Sequence, residues 1–230
     1  STMWAIVPLK TFSEAKQRLA AVLSEAERRD LMLAMARDVL TTLSHCKNLS
    51  GVLIASRTTE ADALAQAFAT ERFSESPDAN LPQTLTQASE YLSRNRNARG
   101  VMIVPADVPM IDAGEIDEIL DDHDKVTLIP DRDNIGTNGL LASPADAIEF
   151  IFDGRSFEPH LNAALAAGIR PAIVTSPNFA LDIDTADDLR ALLAAAPTTQ
   201  TGTFLVKSGI ARRLEATDND ASADNPDAAL

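Results

Sequence analysis

Asp107 stands in Val101-Met-Ile-Val-Pro-Ala-Asp-Val-Pro109, an apolar run that ends in one carboxylate between two prolines. The run reads as a buried strand, and open α/β sheets bind ligands beyond the carboxyl ends of their strands. A carboxylate held there by a stiff turn suits a divalent cation on a phosphorylated ligand. A polar cap on the strand end is the other reading. Leu181-Asp182-Ile183-Asp184-Thr185 offers two more carboxylates. As a strand it points Asp182 and Asp184 the same way, about 6–7 Å apart by the strand rise. Either could join Asp107 around a cation, and Asp184 could equally cap the helix that follows.

Cations cluster near the start of the chain. Lys10, Lys16 and Arg18 fall within nine residues, just after the apolar run that ends Val7-Pro8-Leu9. Free N–H groups at a strand-to-helix turn favour a phosphate, and Lys and Arg there add a point charge and a planar fork. Arg57, at the end of a second apolar run, could contact a nucleotide or pair with Glu60. Asn80 precedes an amphipathic stretch, where an N-cap is the simpler role and a base edge the alternative. Gly136-Thr137-Asn138-Gly139 could let backbone approach a ligand or could be a hairpin turn. Ser156 opens a helix, as an N-cap or by offering its hydroxyl to an anion; His160, one turn on, could reach the same ligand or fill the surface, and reads as the latter.

These groups must be positioned by an alternation of strands and helices. Residues 4–9, 51–55, 101–104, 126–130, 139–142 and 172–174 read as short strands. Residues 13–23, 25–43, 58–69, 82–94, 113–122, 156–167 and 186–196 carry helical periodicity. Such alternation implies a mostly parallel sheet covered on both faces, with 139–142 entering antiparallel. The pattern stops near Pro197. Residues 1–197 therefore read as one domain, and 198–230 as a largely disordered extension in which 198–202 are linker-like, 204–214 could make one short element and 217–230 are acidic.

Composition narrows the chemistry. The 230 residues hold 20 Lys and Arg against 34 Asp and Glu, a net charge of −14, which argues against nucleic-acid and anionic-membrane partners. Cys46 is the single cysteine and the three histidines are scattered, so a zinc site is not expected. No apolar run nears the ~18 residues of a membrane span, and the first residues do not read as a secretory signal; a cytoplasmic protein is the default expectation. The chain has neither the Gly-rich dinucleotide fingerprint nor the P-loop.

Taken in order, Pro8-x-Lys10 with Lys16-x-Arg18-Leu19, Pro105-Ala106-Asp107-x-Pro109, Gly136-Thr137-Asn138, Ser156-Phe157 with His160, and Asp182-x-Asp184-Thr185-x-x-Asp188-Leu189 resemble the guanylyltransferases of deazaflavin coenzyme F-420 biosynthesis. The resemblance spans about residues 4–195. It implies a three-layer α/β/α Rossmann-like nucleotidyltransferase fold, glycosyltransferase-A-like and with a mostly parallel sheet, related to the molybdenum-cofactor guanylyltransferases. It further implies GMP transfer from GTP to the phosphate of 3-phosphoglycerate, 2-phospholactate or phosphoenolpyruvate, with release of pyrophosphate. By the same resemblance, Asp107 with Asp182 or Asp184 would hold Mg²⁺, and Lys16 and Arg18 would steady the triphosphate. Pro8, Leu9, Lys10, Arg57 and Asn80 would meet the nucleotide, and Thr137, Asp153 and Ser156 the acceptor. Asp153 stands where the family usually has glycine. It could accept a hydrogen bond from an acceptor hydroxyl, which sets 3-phosphoglycerate level with the other two acids. The partners expected are small molecules, and a homodimer is left open. A sugar transferase of the same fold and a non-catalytic nucleotide-binding protein are the alternatives.

Overall fold

The computed structural model describes residues 2–12 and 16–223, with side chains as far as Thr217. Seven strands form one sheet: β1 (Met3–Leu9), β2 (Gly51–Ser56), β3 (Glu71–Ser74), β4 (Gly100–Ile103), β5 (Val126–Pro130), β6 (Thr137–Ala142) and β7 (Ala172–Ile173). Their order is β3-β2-β1-β4-β6-β5-β7. β1 pairs parallel with both β2 and β4, whereas β6 runs antiparallel to β4 and β5. The expectation of a mostly parallel sheet with one reversed strand near 139–142 is met.

Helices α1 (Glu25–Ser44), α2 (Glu60–Phe68), α3 (Leu81–Arg96), α4 (Ala113–Asp122), α5 (Phe157–Ala166), α6 (Pro177–Ala180) and α7 (Ala186–Ala195) connect the strands. Strand alternation sorts them into two layers. In β1, Ala5, Val7 and Leu9 enter the core under α1, α4 and α7, while Ile6 enters the second core under α3 and α5. The three-layer α/β/α expectation therefore holds.

The chain passes from β1 to β2 on one side and returns through α3 to β4 on the other. That reversal opens a crevice beyond the carboxyl ends of β1 and β4, where doubly wound sheets bind ligands. Lys10 follows β1 directly and Asp107 follows β4 by four residues.

Four expectations are corrected. The helix expected over 13–23 does not form over its described part. Lys16 is left-handed at φ 60°, a short 3-10 turn covers Gln17–Leu19, and a turn carries the chain to Ser24. Residues 13–15 of that expectation lie outside the described residues. Residues 181–185 are an irregular segment rather than a strand, since they are not paired in the sheet. The polar edge strand β3 was not anticipated, because Glu71-Arg-Phe-Ser74 pairs with β2 through its backbone and carries no apolar alternation.

The fourth concerns the end of the chain. Residues 198–202 open α8 (Gln200–Lys207) rather than a linker, and α9 (Ile210–Ala223) carries the element expected over 204–214 on into the stretch read as disordered; both helices fold back onto the domain. Asp38 of α1 accepts from the N–H groups of Gln200 and Thr201 at 2.9 and 2.8 Å and from the Thr201 hydroxyl at 2.6 Å. A carboxylate at a helix N-terminus is favoured by both the free donors and the dipole. Leu205, Ile210 and Leu214 are buried in the core. Gly202 is needed for close approach, because a Cβ there would stand 2.5 Å from the Pro197 carbonyl. A glycine that reads as a linker residue is thus a helix packing residue. The part of the disorder expectation covering 224–230 lies outside the described residues.

Candidate active site

A cavity of about 760 Å³ lies at the crevice, lined by the turn after β1, the turn after β4, the β5–β6 loop and the segment before α7. Asp107 reaches it because the Pro105–Pro109 turn carries the chain away from the sheet. Its carbonyl accepts from Ile183 N–H at 3.0 Å, which brings residues 182–184 alongside. Asn138 of β6 then donates to Asp182 Oδ1 at 3.1 Å and to the Phe179 carbonyl at 2.9 Å. On the far side, Asp188 in the first turn of α7 accepts from the N–H groups of Asp184 and Thr185, both at 2.9 Å. These local bonds hold Asp182 and Asp184 without a sheet.

The result is a cluster of three carboxylates. Ligand atoms of Asp107, Asp182 and Asp184 all lie within 4.8 Å of one another. Lys16 inserts its ammonium between two of them, 2.5 Å from Asp107 and 3.0 Å from Asp184. Burial and the nearby Asp107 push the Asp182 carboxyl up to about 6. Burial works to raise Asp184 as well, but Lys16, a hydrogen bond with Asp182 and the charge of Arg18 together outweigh it and hold that carboxyl below its usual range. Burial works to lower Lys16, while Asp107 and Asp184 together raise it. Lys16 therefore bonds two of the three carboxylates, and Asp182 stays under-compensated. Oxygen donors in this number suit a hard divalent cation.

The cavity wall also carries Lys10, Arg18 and Arg132. Arg132 lies in the β5–β6 loop and donates to Asp188 at 2.9 Å while staying largely exposed. That loop is tied by Asp131, which accepts from the N–H groups of Asp133, Ile135 and Gly136 at 3.2, 3.0 and 2.9 Å. A Cβ at Gly136 would stand 2.8 Å from the Asp131 carboxylate, so a larger residue there would push that carboxylate aside.

Also on the cavity wall, Thr137 and Ser156 join their hydroxyls at 2.9 Å. His160 Nδ1 lies 2.9 Å from the Thr137 hydroxyl. The ring is fully buried, which corrects its reading as a surface residue: α5 turns it inward under Phe152. Burial lowers its imidazole to about 4, so it is neutral at pH 7.

Of the residues expected at the site, Pro8, Lys10, Lys16, Arg18, Asp107, Thr137, Ser156, Asp182 and Asp184 line this cavity. Four do not. Leu9 is buried in the core. Arg57 donates to the Pro77 and Ala79 carbonyls at 3.1 Å and so fastens the loop before α3. Asn80 caps α3, accepting from Gln83 N–H in a reciprocal capping box. Asp153 is exposed and accepts from Arg155 N–H at 3.0 Å. It closes its own turn with one carboxylate oxygen, between Phe152 and Gly154, which line the cavity. Asn138, Arg132 and Asp188 were not singled out as site residues. Asn138 follows Thr137 directly and Asp188 lies four residues after Asp184, so both have a local signal, whereas nothing local marks Arg132.

Comparison with known proteins bears on the fold and the family. The family model described as "Guanylyl transferase CofC like" matches residues 3–223. The phosphoenolpyruvate guanylyltransferase of Conexibacter woesei is 34% identical over 193 residues, covering 82% of this chain and 86% of its own. The 2-phospho-L-lactate guanylyltransferase of Methanobrevibacter smithii is 30% identical over 205 residues, covering 88% and 89%. Among solved structures, a Desulfovibrio desulfuricans protein with a proposed nucleotide-diphospho-sugar transferase assignment superposes with a TM-score of 0.72. It is 16% identical and covers 93% of this chain and 97% of its own. A nucleotidyl transferase from Methanothermobacter gives 0.60 at 15% identity, covering 83% and 95%. These structural likenesses show the fold. No helix among the described residues is long and apolar enough to cross a membrane.

Proposed function

Since the chain belongs to the CofC-like guanylyl transferase family and is a nucleotidyltransferase, we propose that its cavity moves GMP from GTP to the phosphate of a small phosphorylated carboxylic acid. Phosphoenolpyruvate and 2-phospholactate, the acids in the names of its relatives, are the first candidates, and 3-phosphoglycerate is the third. An acceptor phosphate oxygen attacks the α-phosphorus of GTP, a new P–O bond forms, and pyrophosphate leaves with the bridging oxygen. A phosphate monoester is anionic near pH 7, so no protein nucleophile or strong base is needed. Positioning and charge compensation carry the chemistry.

The observation that carries this reading is the Asp107, Asp182 and Asp184 cluster on the cavity wall. Mg²⁺ fits that donor set, and when bound it would supply positive charge against the α-phosphate in the transition state. Lys16 and Arg18 offer charge to the triphosphate and to departing pyrophosphate. Lys10 extends that cationic wall along the nucleotide side, next to Pro8. Thr137 and Ser156 hold the acceptor. The test is a single reaction with GTP, Mg²⁺ and all three acids, read by product mass and by pyrophosphate. One guanylylated acid with matching pyrophosphate is expected. No adduct with any of the three overturns the proposal.

A further inference from the structure

The His160 ring is a positioning device of defined polarity. Ile151 N–H donates to Nε2 at 2.9 Å, and an N–H can be received there only by a lone pair. The proton of the neutral ring therefore sits on Nδ1, which faces Thr137 Oγ1 at 2.9 Å and must donate to it. The Thr137 proton cannot return to the ring. The Thr137 and Ser156 hydroxyls, 2.9 Å apart, hold two protons and use one between themselves. In either arrangement one O–H is left over. Both residues line the cavity, while His160 is sealed behind them. Phe152, whose ring meets the imidazole edge to face at 4.9 Å, sits in the left-handed region at φ 39°. That conformation is costly for a bulky residue and persists only where surroundings impose it.

We infer that His160 is a positioning residue which, through Nδ1–H, commits the Thr137–Ser156 pair to donating a hydrogen bond to an anionic oxygen of the acceptor. The inference rests on the acceptor side assigned under the proposed function. It makes this wall selective for a carboxylate or phosphate oxygen over a neutral donor group. Chained hydrogen bonds polarise one another, so the ring also strengthens the outward O–H.

The test is a double-mutant cycle read as separate KM values for GTP and phosphoenolpyruvate. His160→Phe keeps the ring and removes both nitrogens. It should raise the KM for phosphoenolpyruvate about tenfold, the usual worth of a hydrogen bond to a charged group, with the KM for GTP unchanged. In a Thr137→Val background the same replacement should add less than about twofold. Equal rises in both KM values, or full additivity with Thr137→Val, would overturn the inference. Nitrogen-15 histidine spectra of the wild-type protein at pH 7 give a readout independent of turnover and of variant folding. A proton on Nδ1, with its signal shifted by phosphoenolpyruvate, supports the inference; a proton on Nε2, or no shift, overturns it. Absence of any guanylylated product from the wild type would instead strike the proposed function, and the spectra would still decide the role of His160.

Discussion

Lys16 donates to Asp107 at 2.5 Å across 91 residues of chain, and the same ammonium reaches Asp184 at 3.0 Å. A protein cation thus occupies the side of the carboxylate cluster where a divalent ion would compete for the same oxygens. Lys16→Met should weaken the metal-free protein by about 1–3 kcal/mol, because two partly buried carboxylates lose their partner. Added Mg²⁺ should then raise its Tm more than it raises that of the wild type, while turnover falls. Thermal melts with and without Mg²⁺, paired with initial rates, check this. Wild-type turnover would remove Lys16 from the chemistry.

Asp107→Asn keeps the size and the backbone carbonyl that receives Ile183 N–H but removes the charge. If this carboxylate holds the cation, several kcal/mol of charge stabilisation disappear, and turnover should fall by about a thousandfold or more. Far-ultraviolet circular dichroism should not change. Asp184→Asn should behave similarly. Near-normal turnover of Asp107→Asn at saturating Mg²⁺ would return Asp107 to the role of a polar cap.

Asp38 anchors α8 with one carboxylate serving three donors. Asp38→Ala should cost about 2–3 kcal/mol, since buried N–H groups at the helix start lose their acceptor. The urea midpoint reads that change. Truncation after Pro197 removes Leu205, Ile210 and Leu214, each worth about 1.5–3 kcal/mol of apolar burial, and should leave the remainder unfolded or insoluble. Truncation after Leu214 keeps those side chains and should preserve the fold. Equal behaviour of the two truncations would contradict the docking of α8 and α9 on the domain.

His160 links stability to pH. Burial depresses its imidazole from 6.5 to about 4, so between those values the unfolded chain binds a proton that the folded chain refuses. Its stabilising contribution is complete above pH 6.5 and is lost as pH falls toward 4, with a slope of about 1.4 kcal/mol per pH unit. Asp182, raised to about 6, works in the opposite direction over the lower part of this window. The readout is therefore a difference: relative to His160→Phe, the wild-type denaturant midpoint should drop between pH 7 and 5. An unchanged slope in the variant would assign the loss to other groups.

The alternation of residues 4–142 was legible because hydrophobic period is a local property. β5 and α4 fall where that periodicity places them, and the reversal at β6 shows as two apolar runs too close for a crossover helix. Asp107, Lys16, Asp182 and Asp184 could be named from residue type and motif order. What the sequence could not state was who faces whom. Asp182 and Asp184 meet Asp107 through one long-range backbone bond, an Asn138 side chain and a capping carboxylate, not through the strand alternation expected of them. Asp153 and Asn80 spend their polar atoms on their own turns, and His160 enters the interior because α5 rotates it there. Residues 198–202 look like a polar linker until Asp38, more than 160 residues earlier in the chain, supplies the acceptor their helix start needs. Periodicity is set by neighbours within one turn or one pleat, so it survives in the sequence. Contacts that close over a hundred residues are decided only when the whole sheet and its two cores form.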